Sequence, residues 1–426
     1  MSTVTYSKGS GGSSQYHRQT LFLASCISLI ATAMAFAVGG AIEGPLQSEF
    51  HFSFSQSGAI LGAISTGYTI SLLIGAQLCD LLGMKRLLAL AFVAHVTAIS
   101  LTLTAHSFWP FWLATVGVGI GNGFVEASIN PLIATLYSDD KAHRLNRLHV
   151  WFPGGQVIGG LLAFAVDQYL GKQVSPHLLW QLKIASIYIP TILYGLTFLR
   201  LNVPPTERAQ SQVTTKEMYM EFFRPAFLAI LFCMLLTAST ELTTGRWIAG
   251  LLQGATNNPV LVIVWVGVIM AIGRRFAGPV VHKFSPTGML LGSSVLALIG
   301  LLGLSMAHGP VQSYGAAAIF AAGVCYFWPT MLGLTSERFP KGGSFLLGMM
   351  GAAGMISVSL TTWLLGVVID TTHLDPQMGL RYIATFPAIL IVMFGIMYAG
   401  DKSRGGYKPE VLSADTEAAK AGVGAS

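Results

Sequence analysis

Leu21-Phe-Leu-Ala-Ser-Cys-Ile-Ser-Leu-Ile-Ala-Thr-Ala-Met-Ala-Phe-Ala-Val-Gly-Gly40 runs for twenty residues without a charged side chain. A helix needs about 20 apolar residues to cross the hydrocarbon of a bilayer. A signal peptide would end its apolar stretch sooner and follow it with a small-residue cleavage site. This run continues past Gly40, so it reads as a first membrane span. The residues ahead of it, SKGSGGSSQYHRQT, are polar and Ser/Gly-rich and read as a short disordered tail.

Similar runs recur along the whole chain. They predict twelve spans, at 19–47, 55–79, 84–105, 109–137, 147–168, 178–199, 225–251, 259–282, 287–307, 311–336, 343–369 and 379–400. Composition agrees. Of 426 residues, 53% are apolar and 10% charged, with a mean hydropathy of +0.63. Soluble domains carry about 25% charged residues, so this chain cannot cover itself with a water-facing surface. The net charge of +6 is scattered rather than clustered, which argues against a nucleic-acid partner. Cys26, Cys79, Cys233 and Cys325 lie inside apolar runs, with neither zinc spacing nor a disulfide framework. The chain reads as an all-α protein of the lipid bilayer.

Charge placement tests the span count independently. With the amino terminus in the cytoplasm, twenty of the 24 Lys and Arg fall on the inner side; Lys172, Lys183, Arg246 and Arg381 fall elsewhere. Lys and Arg accumulate on the cytoplasmic side of membrane proteins, so both termini are expected inside. The longest polar connection, 200–224, divides the chain. The expected organisation is a cytoplasmic tail 1–18, a six-helix half 19–199, a cytoplasmic linker 200–224, a second six-helix half 225–400 and a tail 401–426. The halves echo one another: Asn130-Pro131 is followed by Asp167 at the end of the fifth span, Trp328-Pro329 by Asp370 at the end of the eleventh. Two parallel six-helix halves about a central site is an arrangement of transporters.

Between the second and third spans the chain reads Gly75-Ala-Gln-Leu-Cys-Asp80-Leu-Leu-Gly83-Met-Lys85-Arg86. This resembles the cytoplasmic loop signature of the major facilitator superfamily. A counterpart without the Asp, Gly273-Arg274-Arg275 to Gly278, lies between spans eight and nine. Gly75 would let two helices approach closely. Asp80 could pair with basic groups on the inner face, so Asp80, Lys85, Arg86, Arg274 and Arg275 are candidates for conformational gating. A narrower likeness covers 119–160: Gly119-Ile-Gly121-Asn-Gly-Phe-Val-Glu126-Ala-Ser-Ile-Asn130-Pro131, then Arg144-Leu-Asn146-Arg-Leu-His149. It is similar to the fucose-permease-like and sodium-glucose-transporter-like branch of sugar transporters. That resemblance implies that Glu126, Asn130, Asn146 and His149 face a cavity, that Glu126 takes up the coupling proton, and that Glu43 belongs to the same pattern. Phe152 stands where the fucose-permease pattern has Asn, and His149 where it has Gln, so the identity of the sugar stays open.

Ionisable groups inside a bilayer cost about 2.5–3.5 kcal/mol or more at mid-helix and mark functional candidates. Glu126 lies 17 residues beyond Trp109 and 11 before Tyr137, near the middle of its span. Such a carboxyl either exchanges a proton or bridges two helices permanently. Asn130, one turn on, shares its face and either binds a hydroxyl-rich ligand or caps the kink at Pro131. Asn146 and His149 open the fifth span on one face; His149 either meets substrate or is an interfacial His among Arg144 and Arg147. Glu43 and Glu241 lie in the first span of each half, as coupling groups or as an outer gate. Arg246, five residues past Glu241, is expected to pair with another span, Glu43 being a candidate partner. Trp247 and Trp328 suit stacking on a sugar as well as helix packing, and Gln156 could reach the cavity. His95 reads as a packing residue.

No phosphate-cradling loop, metal cluster or hydrolase triad appears, so the reading is not of an enzyme, and no cofactor is expected beyond a coupling proton or, in its place, sodium. The expected protein is a multi-pass secondary transporter of a bacterial inner membrane, moving a small polar solute through proton-coupled alternating access; the resemblance implies that the solute is a sugar and that the protein works as a monomer. Two readings remain beside it: a sodium-coupled sugar transporter, and an exporter of amphipathic drugs or lipids, for which Phe124, Phe152 and the Met residues would supply a greasier cavity.

Overall fold

The computed structural model describes residues 3–6, 14–52, 54–210, 213–245, 259–372 and 376–410. Lipid offers no partner for backbone polar groups, so spanning segments close their hydrogen bonds internally as helices. Eleven helices among the described residues are long and apolar enough to cross a membrane, from Arg18–Ile42 to Gly379–Ser403. A further helix, Pro259–Arg275, covers the eighth expected span with 17 residues. Large apolar side chains point outward along these helices, among them Val93, Leu161, Phe164, Ile189 and Ile396. Water would not tolerate such a surface over so many helices; hydrocarbon does.

Several boundaries differ from the sequence reading. Within the tail read as disordered, Thr3–Tyr6 and Ser14–His17 pair as antiparallel strands, Thr3 opposite His17. The fifth span was expected from 147, but helix already begins at Lys141; Lys141–His149 is followed directly by Trp151–Leu170. Its charged first turns broke the apolar run without breaking the helix. The sixth consists of two helices, Pro176–Ala185 and Tyr188–Arg200. The eighth ends at Arg275 rather than 282, because a new helix starts at Ala277. Pro279, which lacks an N–H, sits in the first turn of that helix, where no donor is required. A sharp break follows at Ser285, with φ 64° and ψ 164°. The linker contains two short helices, Glu207–Gln210 and Thr215–Phe222, the second opened by a Thr214/Glu217 capping box.

The chain divides into two compact units. One comprises Met1–Leu136, Trp151–Gln210 and Leu347–Ala352, the other Tyr137–Val150, Ser211–Leu346 and Ala353–Ser426. Two segments are exchanged between the units relative to chain order, Tyr137–Val150 and Leu347–Ala352. In the first unit the core gathers Met34, Val38, Ile42, Ile60, Ile64, Ile99, Phe111 and Trp180. Gly75 allows the close helix approach expected of it: a Cβ there would stand 2.9 Å from the Phe124 ring and 3.1 Å from Ala127. Gly83 takes φ 85° in the turn to the third span, a conformation L side chains avoid. In the second unit Ala142, Ala277, Val281 and Met289 pack together. The segment Tyr137–Val150 is held there by bonds between main chain and side chain, with the Ala142 N–H donating to Glu337 Oε1 at 2.9 Å and Lys141 Nζ to the Ser336 carbonyl at 3.2 Å.

Candidate functional site

Each unit carries its own buried polar cluster. In the first, Glu126 and Asn130 lie one turn apart in the helix Phe108–Leu136 and are 3% and 4% exposed. The Tyr68 hydroxyl, from the helix Phe54–Leu82, is hydrogen-bonded to the Glu126 carboxyl. Tyr68 was missed from the sequence, because a tyrosine in an apolar run reads as packing. Gln156 is exposed on the helix Trp151–Leu170. His95 is held as a packing residue, with Tyr194 Oη 2.8 Å from Nδ1 and Asn122 Oδ1 2.9 Å from Nε2.

The second cluster is built around an ion pair. Arg274 Nη2 donates to Glu241 Oε1 at 2.7 Å, and the two side chains are 2% and 5% exposed. Arg274, expected on the inner face as a gating charge, is thus buried within the unit. Its Nε donates to the Cys325 carbonyl at 2.6 Å and its Nη1 to the His149 carbonyl at 2.9 Å. Glu241 lies in a π turn, Ser239–Thr243, at the end of the helix Pro225–Ala238. Such turns widen the helix by one residue and occur often at functional sites. One turn before His149, Asn146 donates from Nδ2 to the Ala142 carbonyl at 2.9 Å and to Thr330 Oγ1 at 3.0 Å. Among the described residues, Asn146 Oδ1, Thr244 Oγ1 and Trp328 Nε1 are buried with no hydrogen-bond partner. All three belong to this unit. Trp328 packs where a Cβ on Gly354 would come within 2.8 Å of its ring.

The expected gating residues are only partly brought together. Asp80 meets linker residues of its own unit, accepting from Arg208 Nε at 2.8 Å and from Thr206 Oγ1 at 2.7 Å. Lys85 is half-buried, whereas Arg86 and Arg275 are exposed. Glu43 falls within the helix Arg18–Phe50, but its side chain lies outside the described residues, as do Arg246 and Trp247 altogether.

Among the described residues, eleven helices long and apolar enough to span, a further helix at Pro259–Arg275, outward-facing apolar surfaces and a carboxyl buried in mid-helix define a multi-pass membrane protein. The family model of the Major Facilitator Superfamily matches residues 21–362, and the chain belongs to that superfamily. It is therefore a transporter rather than an enzyme. Its fold is similar to that of FucP of E. coli in the outward conformation, at 17% identity and a TM-score of 0.75, over 88% of this chain and 98% of that one. It is similar also to the proton:xylose symporter XylE, at 15% identity and a TM-score of 0.74, over 94% and 98%. A curated relative, the probable anion transporter 3, chloroplastic, of Oryza sativa subsp. japonica, is 26% identical over 158 residues. That match takes in 36% of this chain and 27% of the relative's length.

Proposed function

We propose that the protein is a secondary active transporter that moves a small polar solute, a sugar, by proton-coupled alternating access, working as a monomer with both termini in the cytoplasm. The observation that carries this reading is Glu126, a carboxyl 3% exposed in the middle of a membrane helix with the Tyr68 hydroxyl on it and Asn130 one turn away. A buried carboxyl is costly as an ion and stable as an acid. Taking up a proton on one side and releasing it on the other changes the cost of each orientation, which is what coupling requires.

The second cluster supports a neutral, hydroxyl-rich solute. A hydroxyl donates and accepts at one oxygen, and so suits both Asn146 Oδ1 and Trp328 Nε1. An anion would need an uncompensated cation, and Arg274 is already neutralised by Glu241. The structural neighbour XylE is by name a proton:xylose symporter.

Purified protein in liposomes tests the reading. Glu126→Gln keeps the shape and removes the charge step: uptake driven by a pH gradient falls to the passive level while counterflow exchange survives. Driven uptake that persists in the variant removes Glu126 from the coupling role. Replacing sodium by choline at a fixed pH gradient leaves uptake unchanged if the proton is the coupling ion. Thermal stabilisation by monosaccharides and not by amphipathic compounds separates a sugar transporter from an exporter of drugs or lipids.

A further inference from the structure

Asp140, His143 and His282 bring three metal-ligating side chains within 4.8 Å of one another, outside both polar clusters. From this geometry we infer a binding site for a divalent transition-metal ion of the zinc type. Asp140 precedes the helix Lys141–His149 and makes no side-chain cap hydrogen bond to it, which leaves its carboxylate turned toward His143, one turn on. Asp140 Oδ2 stands 2.9 Å from His143 Nδ1, and Oδ1 stands 3.6 Å from His282 Nε2. The two imidazoles cross at 76° with their centres 5.7 Å apart.

These separations fit a tetrahedral ion. Zinc bonds to N and O at about 2.0–2.2 Å, so neighbouring ligand atoms sit roughly 3.3 Å apart. Small side-chain rotations close the remaining gap, because His282 is 65% exposed and free to turn. His143 is already seated on the helix that carries His282: a Cβ on Gly278, one turn earlier, would come within 2.7 Å of His143 Nε2. A larger residue at 278 would push that ring away.

The donor set decides the class of ion. Two imidazoles with one carboxylate suit zinc, nickel or copper, while magnesium and calcium take oxygen shells. The site borders a cavity of about 430 Å³, lined also by Asp139, Glu337 and Asp401, which leaves room for a water as fourth ligand. Opposing charge comes from Arg144, whose Nε lies 3.4 Å from Asp140 Oδ2, and from Lys283 and Lys402 in the cavity wall. Arg144 has a second seat, its guanidinium carbon 4.5 Å above the Tyr137 ring. A bound ion would tie the segment Tyr137–Val150 to the helix Ala277–Leu304, two stretches far apart in the chain.

The test is titration of the purified full-length protein, carrying no polyhistidine tag, with zinc chloride by calorimetry and by thermal unfolding in detergent. The site gives one saturable ion per chain and raises the unfolding temperature. His282→Ala, at an exposed position that folding does not depend on, weakens binding roughly tenfold or more, and Asp140→Asn does the same. His177→Ala, beside the unrelated Glu49 contact, leaves binding unchanged. Equal stabilisation by magnesium, or zinc binding untouched in His282→Ala, overturns the assignment. Neither readout depends on transport, so the outcome stands apart from the proposed substrate.

Discussion

Arg274 and Glu241 form a salt bridge at 2.7 Å with both side chains almost wholly enclosed. Two ions out of water carry a desolvation penalty that only close geometry and further hydrogen bonds repay. The guanidinium meets that condition by placing its other donors on the Cys325 and His149 carbonyls. One side chain therefore joins the π turn at Ser239–Thr243, the residue after the helix Pro310–Val324 and the last residue of the helix Lys141–His149.

That arrangement predicts a strong asymmetry on mutation. Arg274→Ala leaves a buried carboxylate and two carbonyls without their donor, and is expected to cost about 3–5 kcal/mol. Glu241→Gln keeps an acceptor of the same shape and is expected to cost less. Combining Arg274→Met with Glu241→Leu removes both charges and recovers much of the loss. Thermal unfolding of the purified variants in detergent ranks them; equal melting of Arg274→Ala and wild type would show that the pair contributes nothing.

Arg274 also marks the limit of what the sequence discloses. The spans were legible because hydrocarbon thickness sets their length, and the fold followed from them. Glu126 and Asn130 were legible because a carboxyl and an amide in mid-span are unusual enough to be noticed alone. Arg274 ends an apolar run, as surface anchors do, and nothing in the chain separates an anchor from a buried cation until Glu241, 33 residues earlier, is seen beside it. Thr330 and the carbonyls of Cys325 and His149 were invisible for a related reason: hydroxyls in apolar helices usually bond their own backbone, and every residue has a carbonyl. Asp140, His143 and His282 carry no spacing that marks a site, since their proximity exists only in three dimensions.

The Asp80 contacts predict how the linker is held. Its carboxylate, 3% exposed, accepts from Arg208 Nε and Thr206 Oγ1. Hydrogen bonds to a charged group contribute about 1.5–3 kcal/mol. Asp80→Asn should therefore raise the open population of the linker roughly tenfold or more, and cleavage tracks that population when opening is fast. Limited trypsinolysis, read by the appearance of fragments cut at Arg208, is expected to accelerate accordingly. An unchanged cleavage rate would mean that other contacts hold the segment.

The helix Thr215–Phe222 gives a pH dependence with a definite sign. Glu217 is held below the usual carboxylate range, first by the Thr214 N–H, then by the Thr214 hydroxyl, with Lys341 Nζ at 3.8 Å adding to the effect. A depressed pKa stabilises the folded form above the ordinary carboxylate value, and that contribution fades as pH falls through the folded value. Amide exchange at 215–222, corrected for the intrinsic rate, should show full protection at neutral pH and loss only in acid. Glu217→Gln is expected to show weaker protection at neutral pH and little further loss in acid. Parallel pH profiles for the two proteins would rule the capping box out as the cause.

Asn146 and Trp328 offer the most direct test of a hydroxyl-bearing substrate. Asn146 spends its Nδ2 on Ala142 and Thr330 but leaves Oδ1 buried and unbonded among the described residues, and Trp328 Nε1 is in the same condition. Buried polar atoms are nearly always satisfied, so exceptions in a native structure call for a partner. If a sugar hydroxyl is that partner, Trp328→Phe retains an aromatic face and loses one hydrogen bond, about 0.5–1.5 kcal/mol. The expected weakening in Kd is roughly two- to tenfold, with coupling to the pH gradient unaltered. Asn146→Leu removes the Nδ2 bonds to Ala142 and Thr330 as well, so its loss is expected to exceed that of Trp328→Phe. The decisive comparison uses deoxy analogues: the analogue lacking the matching hydroxyl binds wild type and Trp328→Phe equally, while its relatives still distinguish them. Were every analogue weakened to the same extent, the indole would act through its packing against Gly354 rather than through its N–H.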